Sequence, residues 1–126
     1  MNDLKCEQVL IVDDEDYARE LLITMLEEMG FEVVIARDGF EGLDVFSAAA
    51  ASFRACIVDL NMPGMAGLEL LDHIRERDTD VPVLLVSGYS RHEVRQKEAQ
   101  SGNVSFLQKP FTRDQFQSAF QARLAG

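Results

Sequence analysis

The stretch Val9–Glu15 reads VLIVDDE and joins a short apolar run to three consecutive acidic residues. A short apolar run followed by a longer segment of helical spacing occurs five times along the chain. The first four runs are nearly continuous rather than alternating, which is typical of strands covered on both faces of a sheet. The five predicted strands lie at Val9–Val12, Val33–Ala36, Ala55–Val58, Val83–Val86 and Val104–Leu107.

The segments after these runs carry the apolar spacing of amphipathic helices. The first is predicted to end at Gly30, and the second to bury an apolar face that includes Phe40. The fifth follows Thr112, a residue type that caps helices. The fourth, about residues 91–100, is mostly polar, so we expect a short helix with little attachment to the core.

Strands that alternate with helices predict an α/β fold with a parallel sheet between two helical layers. The length of 126 residues fits one domain spanning residues 1–126. No run approaches the ~18 apolar residues of a membrane span, and no secretory signal begins the chain. A formal charge of −10 disfavours nucleic-acid binding, and the two cysteines fit a reducing compartment. We expect a soluble, cytoplasmic protein without nucleic-acid or membrane partners.

Polar residues follow the ends of several predicted strands, where ligands bind in open α/β sheets. Asp13 and Asp14 follow the first strand, Asp59 the third, Ser87 the fourth and Lys109 the fifth. Clustered carboxylates repel one another, and a hard divalent cation such as Mg²⁺ relieves that repulsion. A lysine and a hydroxyl beside them would neutralise a transferred phosphoryl group.

Each of these residues also has a simpler interpretation. Asp13 and Asp14 could cap the following helix, Ser87 could be a turn residue before Gly88, and Lys109 a solvated surface lysine. Helix capping does not account for Asp59. The combination at several strand ends therefore favours phosphoryl chemistry.

Four short motifs together resemble the receiver domain of two-component response regulators. They are DDE at 13–15, Asp59 shortly before MPG at 62–64, Ser87-Gly88, and KPF at 109–111. The resemblance covers essentially the whole chain. It implies a flavodoxin-like (βα)5 fold with strand order 2-1-3-4-5, an order that is carried over from the family.

The resemblance also implies the site chemistry. Asp59 would accept a phosphoryl group from a histidine kinase or a histidine phosphotransfer protein. Mg²⁺, with Mn²⁺ as an alternative, would be held by Asp14, Asp59 and the backbone carbonyl of Asn61, with Asp13 acting through water. Ser87 would bond to a phosphoryl oxygen, and Lys109 would pair with the acyl phosphate. Catalysis would be limited to self-phosphotransfer and autodephosphorylation.

A switch follows from the added charge of the phosphoryl group. Ser87 would be drawn inward, and Phe106 would enter the space that it vacates; alternatively, Phe106 is a permanently packed core residue. The expected output surface comprises the fourth helix, the fifth strand and the fifth helix, and would be read by a downstream protein that the sequence does not identify. Tyr89 and Asn61 would flank the entrance to the site.

Two other classes of protein share parts of this pattern. A Mg²⁺-dependent phosphatase with an aspartyl-phosphate intermediate usually has two aspartates two residues apart after the first strand, which DDE at 13–15 does not offer. A flavin-binding electron carrier needs a phosphate loop there, and the acids would repel a phosphate. Within the receiver interpretation, a stand-alone regulator and a receiver from a hybrid histidine kinase both remain open.

Overall fold

The computed structural model describes residues 7–49, 53–88 and 102–125. These ranges contain five strands, β1 Gln8–Val12, β2 Glu32–Ala36, β3 Phe53–Asp59, β4 Val83–Ser87 and β5 Val104–Gln108. They also contain four helices, α1 Asp16–Glu28, α2 Gly39–Ala49, α3 Gly67–Arg77 and the C-terminal helix Arg113–Ala125. The helix predicted near residues 91–100, and Tyr89, lie outside the described residues.

The five strands form one parallel sheet in the order β2-β1-β3-β4-β5, which confirms the predicted fold class and strand order. The chain runs from β1 out to β2 and then returns past β1 to β3, so the winding direction reverses between β1 and β3. Val12 pairs with Val58 across these two strands. The residues that follow, Asp13 and Asp59, therefore emerge side by side at the carboxyl edge of the sheet.

Alternate residues of each strand face opposite layers of helices. Leu10 and Val12 of β1 pack with Phe46 of α2 and with the buried face of α3. Val9 and Ile11 pack instead with α1 and with Phe116 of the C-terminal helix. Each face of the sheet thus has its own apolar core, which explains why the central strands are apolar at nearly every position.

Two helix ends agree with the sequence prediction. Gly30 follows α1 with a φ of +93°, a conformation that glycine adopts without steric cost. At the C-terminal helix, the Thr112 hydroxyl oxygen accepts the Gln115 amide proton at 3.0 Å. The Gln115 side-chain oxygen accepts the Thr112 amide proton at 2.8 Å in return. This reciprocal pair is a capping box, and it defines where the last helix begins.

The prediction that Phe40 belongs to the buried face of α2 is wrong, because its side chain is 59% exposed. The buried residues of α2 are Gly39, Gly42 and Phe46. A β-carbon at Gly39 would lie 2.7 Å from the Met65 carbonyl oxygen, so the helix approaches its neighbour through glycines. This close backbone contact turns Phe40 outward, where its ring lies over Gly64.

Helix α3 begins directly against the carboxyl end of β3. A β-carbon at Gly67 would lie 2.5 Å from the Asp59 carbonyl oxygen and 2.7 Å from the Leu60 α-carbon. The Gly67 amide donates to the Leu60 carbonyl at 3.3 Å. The glycine therefore lets a helix pack against the backbone that carries Asp59.

We predict that Gly67→Ala lowers the free energy of unfolding by about 2 kcal/mol, because the new methyl group meets backbone atoms that cannot move aside. Gly42→Ala is the matched control: it is also a buried helical glycine, but its obstacles are side-chain methyl groups of Val12 and Leu70. We expect that variant to lose less than Gly67→Ala in urea unfolding. Equal losses would contradict the assignment of the strain to the Asp59–Leu60 backbone.

Candidate functional site

Three acidic side chains converge at the carboxyl ends of β1 and β3. Each of Asp13, Asp14 and Asp59 offers a carboxylate oxygen, and the three oxygens lie within 4.8 Å of one another. Asp13 is 1% exposed and Asp59 is 4% exposed, whereas Asp14 is exposed. The structure thus brings together the three aspartates that the sequence singled out.

The Asp13 carboxylate is only partly satisfied by the protein. Its Oδ1 accepts the Glu15 amide proton at 2.9 Å. Its Oδ2 is buried and has no hydrogen-bond partner among the described residues, although the Lys109 ammonium lies 3.6 Å away. A buried carboxylate oxygen without a donor is costly. Together with two neighbouring carboxylates, it makes a donor set that fits a hard divalent cation.

The Asp59 carboxyl is the last side chain of β3, and its pKa is raised to about 6, with burial as the largest cause. The amide proton of Asn61, donated to Asp59 Oδ1 at 3.0 Å, opposes that rise. The charges of Asp13 and Asp14 raise the pKa further, whereas the Lys109 ammonium lowers it. A buried carboxyl with a raised pKa at a strand end is a candidate for chemistry rather than for stability.

The Lys109 ammonium lies among the carboxylates. Its Nζ is 3.6 Å from Asp13 Oδ2, 3.6 Å from Glu15 Oε1 and 3.7 Å from Asp59 Oδ2. The Lys109 backbone amide donates to the Ser87 carbonyl oxygen at 2.8 Å, which ties the β5 end to the β4 end. The interpretation of Lys109 as a solvated surface lysine is therefore wrong.

Ser87 ends β4 and is 1% exposed. Its hydroxyl donates to the Asn61 side-chain oxygen at 2.7 Å. Asn61 also belongs to the site through its backbone, because its amide contacts Asp59 Oδ1. The loop after β3 therefore connects the central carboxylate to the serine on the neighbouring strand.

A cavity of about 370 Å³ opens between these side chains. Asp59 is part of its lining, together with acidic groups and the Lys109 side chain. The lining residues are Asp14, Glu15, Asp59, Asn61, Gly88 and Lys109.

Two residues in contact with the site residues Asp13 and Lys109 received no role from the sequence. Glu15 is an ion-pair partner of Lys109. Arg19 is 5% exposed, donates to the Asp13 carbonyl oxygen at 2.8 Å and pairs with Asp16. The sequence signal for Arg19 was its position three residues before Leu22 on the buried face of α1, since a charged residue there needs a partner.

Phe106 is 7% exposed and belongs to the core on the side of α2 and α3. It pairs with Leu85 across β4 and β5. Its side chain is thus a packed core residue in this arrangement. The proposed movement of Phe106 concerns a second arrangement and stays a prediction.

Comparison with known proteins agrees with this geometry. The family model described as "Response regulator receiver domain" matches residues 9–121. The chain is 32% identical to the regulatory protein AtoC of Escherichia coli over 93% of its own length and 25% of AtoC. It is 36% identical to the sensor histidine kinase RcsC of Salmonella typhimurium over 84% of its own length and 11% of RcsC.

A solved structure gives the same result for the fold. The response regulator protein TrrA of Thermotoga maritima, solved in complex with Mg²⁺ and BeF, superposes with a TM-score of 0.81 at 30% identity, covering 93% of this chain and 98% of that one. The chain belongs to the response regulator receiver domain family and is a receiver domain of two-component phosphorelay signalling. The chain spans half or less of the length of the curated relatives that it matches.

No helix within residues 7–49, 53–88 and 102–125 is both long enough and apolar enough to cross a bilayer.

We predict that Asp59→Asn stabilises the metal-free protein at pH 7.5 by about 2 kcal/mol, because the neutral amide avoids burying a charge beside Asp13. A carboxyl with a raised pKa favours folding in its protonated form. The stability of the wild type should therefore rise, relative to Asp59→Asn, as the pH falls through 6 towards 4.

Urea unfolding in EDTA between pH 4 and pH 8 measures this difference. Asp44→Asn, at an exposed position of α2, serves as the control and should change stability by less than about 0.5 kcal/mol. A difference between the wild type and Asp59→Asn that does not vary with pH would contradict the raised pKa.

Proposed function

We propose that Asp59 is the phosphoryl acceptor, and that residues 1–126 form one receiver domain acting with a histidine kinase or a histidine phosphotransfer protein. The observation that carries the proposal is the Asp59 carboxylate, buried at a strand end, with an ammonium 3.7 Å away and two further carboxylates close by. This arrangement supplies a nucleophile together with the charges that phosphoryl transfer requires.

Asp14, Asp59 and the backbone carbonyl of Asn61 would hold Mg²⁺, or Mn²⁺ as the alternative, with Asp13 acting through water. A bound divalent cation would neutralise charge on the phosphoryl oxygens. Support for this assignment comes from the buried Asp13 oxygen without a hydrogen-bond donor among the described residues and from the clustering of the carboxylates.

The transfer itself exchanges one bond for another. The Asp59 carboxylate oxygen forms the new O–P bond while the N–P bond of the phosphohistidine breaks, and its electron pair stays on the histidine nitrogen. Lys109 would pair with the resulting acyl phosphate, and Ser87 would donate to a phosphoryl oxygen. Attack by water later restores the carboxylate and releases inorganic phosphate. These two reactions would be the extent of the catalysis.

Acceptance of the phosphoryl group would switch a protein-interaction surface that includes β5 and the C-terminal helix, with Ser87 and Phe106 as the moving residues. The added charge of about −1.5 to −2 is the physical cause. AtoC and RcsC are both several times longer than the receiver domain, whereas the TrrA chain is covered to 98%, so the stand-alone and the hybrid-kinase contexts are both compatible with the site. The buried free thiol of Cys56 agrees with a location in the reducing cytoplasm.

The direct test is intact-protein mass spectrometry after incubation with acetyl phosphate and Mg²⁺. We expect a single phosphoryl adduct on the wild type and on Asp44→Asn. The adduct should be absent from Asp59→Asn and from wild type incubated with acetyl phosphate and an excess of EDTA over Mg²⁺. A folded wild type without an adduct would refute the proposal, and steady turnover of small phosphate esters would instead favour a phosphatase.

An apolar groove adjoins the phosphoryl site and suggests where the phosphodonor protein binds. It has a volume of about 260 Å³ and shares Glu15 and Lys109 with the site cavity. Tyr17 and Leu21, on its α1 side, are 78% and 47% exposed. A donor protein whose phosphohistidine reaches Asp59 must cover this rim, so we propose that it packs on the groove.

We predict that Leu21→Ala slows phosphotransfer from a donor protein by about threefold to tenfold, because the substitution removes apolar contact area. The same variant should react with acetyl phosphate at the wild-type rate, since a small donor does not use the groove. The donor protein is first identified by testing which kinase in a panel of purified histidine kinases phosphorylates the wild type. Phe40→Ala, an exposed apolar position outside the groove, is the control. Equal slowing with both donors would contradict a docking role for Leu21.

A further inference from the structure

The side chain of Asn61 is bonded to the buried hydroxyl of Ser87. Ser87 is 1% exposed and donates to Asn61 Oδ1 at 2.7 Å, while Asn61 itself is exposed on the loop after β3. The backbone of Asn61 makes a separate contact, from its amide to Asp59 Oδ1 at 3.0 Å. The side chain and the backbone of one residue therefore engage two different groups of the site.

A serine hydroxyl carries one proton and can donate it to one acceptor in a well-aligned bond. Under the proposed function, the Ser87 hydroxyl donates a hydrogen bond to an oxygen of the phosphoryl group on Asp59. In the present arrangement, the Asn61 side-chain oxygen receives it. The two acceptors are mutually exclusive.

We propose that the Asn61 carboxamide is a resting-state latch: it competes with the phosphoryl group for the Ser87 proton and thereby weakens the phosphorylated arrangement. This inference rests on the proposed function of Asp59 and Ser87. It assigns to the Asn61 side chain a regulatory role that is separate from the metal-binding role of its backbone carbonyl.

The difference in burial between Ser87 and Asn61 makes this exchange feasible. After the switch, the exposed Asn61 amide can bond to water, and the buried Ser87 hydroxyl finds a charged phosphoryl oxygen. Hydrogen bonds to charged acceptors are stronger than those to neutral ones, so phosphorylation breaks the latch. The Ser87–Asn61 hydrogen bond nevertheless has to break, and its loss reduces the free energy gained from the Ser87–phosphoryl hydrogen bond.

The latch can be measured with beryllium fluoride, a phosphoryl mimic, titrated at saturating Mg²⁺ and followed by NMR. We expect Asn61→Ala to bind the mimic about threefold to tenfold more tightly than the wild type, which corresponds to the loss of one competing hydrogen bond. In a Ser87→Ala background, the same substitution should change the affinity by less than about twofold, because no hydroxyl remains to be released.

Two further variants separate the loss of the hydrogen bond from a change in side-chain size. Asn61→Leu keeps the size of the side chain but lacks an acceptor, so it should bind beryllium fluoride as tightly as Asn61→Ala. If Asn61→Ala bound the mimic more tightly and Asn61→Leu did not, the cause would be side-chain size and not the hydrogen bond. In metal-free protein, Asn61→Ala should lower the urea midpoint, and this loss should vanish in the Ser87→Ala background. That second measurement does not depend on the metal or on phosphorylation.

The outcomes distinguish the latch from the function on which it rests. A wild type that takes up neither beryllium fluoride nor a phosphoryl group would refute the proposed function, and the latch with it. A wild type that binds the mimic, with Asn61→Ala no tighter, would overturn the latch alone. Tightening that persists without the Ser87 hydroxyl would also overturn it.

Discussion

The concentration of negative charge at the carboxyl ends of β1 and β3 is the constraint on which the rest of the structure depends. The parallel pairing of these strands places Asp13 beside Asp59, and both side chains are buried. Lys109 brings one positive charge to a site with four carboxylates, counting Asp14 and Glu15. Burial is the largest cause of the raised pKa of Asp59, and the charges of Asp13 and Asp14 also raise it. A divalent cation and a phosphoryl group together would complete the balance.

Hydrogen bonds and close backbone packing around the site hold these like charges near one another. Arg19 donates to the Asp13 carbonyl oxygen, which holds the turn between β1 and α1. Gly67 lets α3 pack against the backbone at Asp59. The Lys109 amide donates to the Ser87 carbonyl, which holds the β4 and β5 ends together. Burial of the two apolar cores on either side of the sheet offsets the unfavourable free energy of the clustered charges.

Most of the fold could be predicted from local patterns, because strands buried on both faces are apolar at nearly every position. All five strands lie where their apolar runs predicted them, with ends extended by one or two residues. The strand order had a different source, since local patterns do not specify it and the family resemblance implied it. The prediction for Phe40 was wrong because helical spacing shows which residues share a face of α2 but not how the helix is rotated about its axis. The close glycine contacts of α2 decided that rotation.

The sequence by itself determined the order of the described elements, the helix cap at Thr112 and the acidic, hydroxyl and ammonium groups at the strand ends, because these depend on residue type and local spacing. Only the tertiary structure decided the contacts between distant segments. It set which carboxylates Lys109 meets, how deeply Arg19 is buried, and that Ser87 bonds to the side chain of Asn61, 26 residues away. The physical reason is that such contacts depend on the register between parallel strands and on the approach of the connecting loops, which no local pattern encodes.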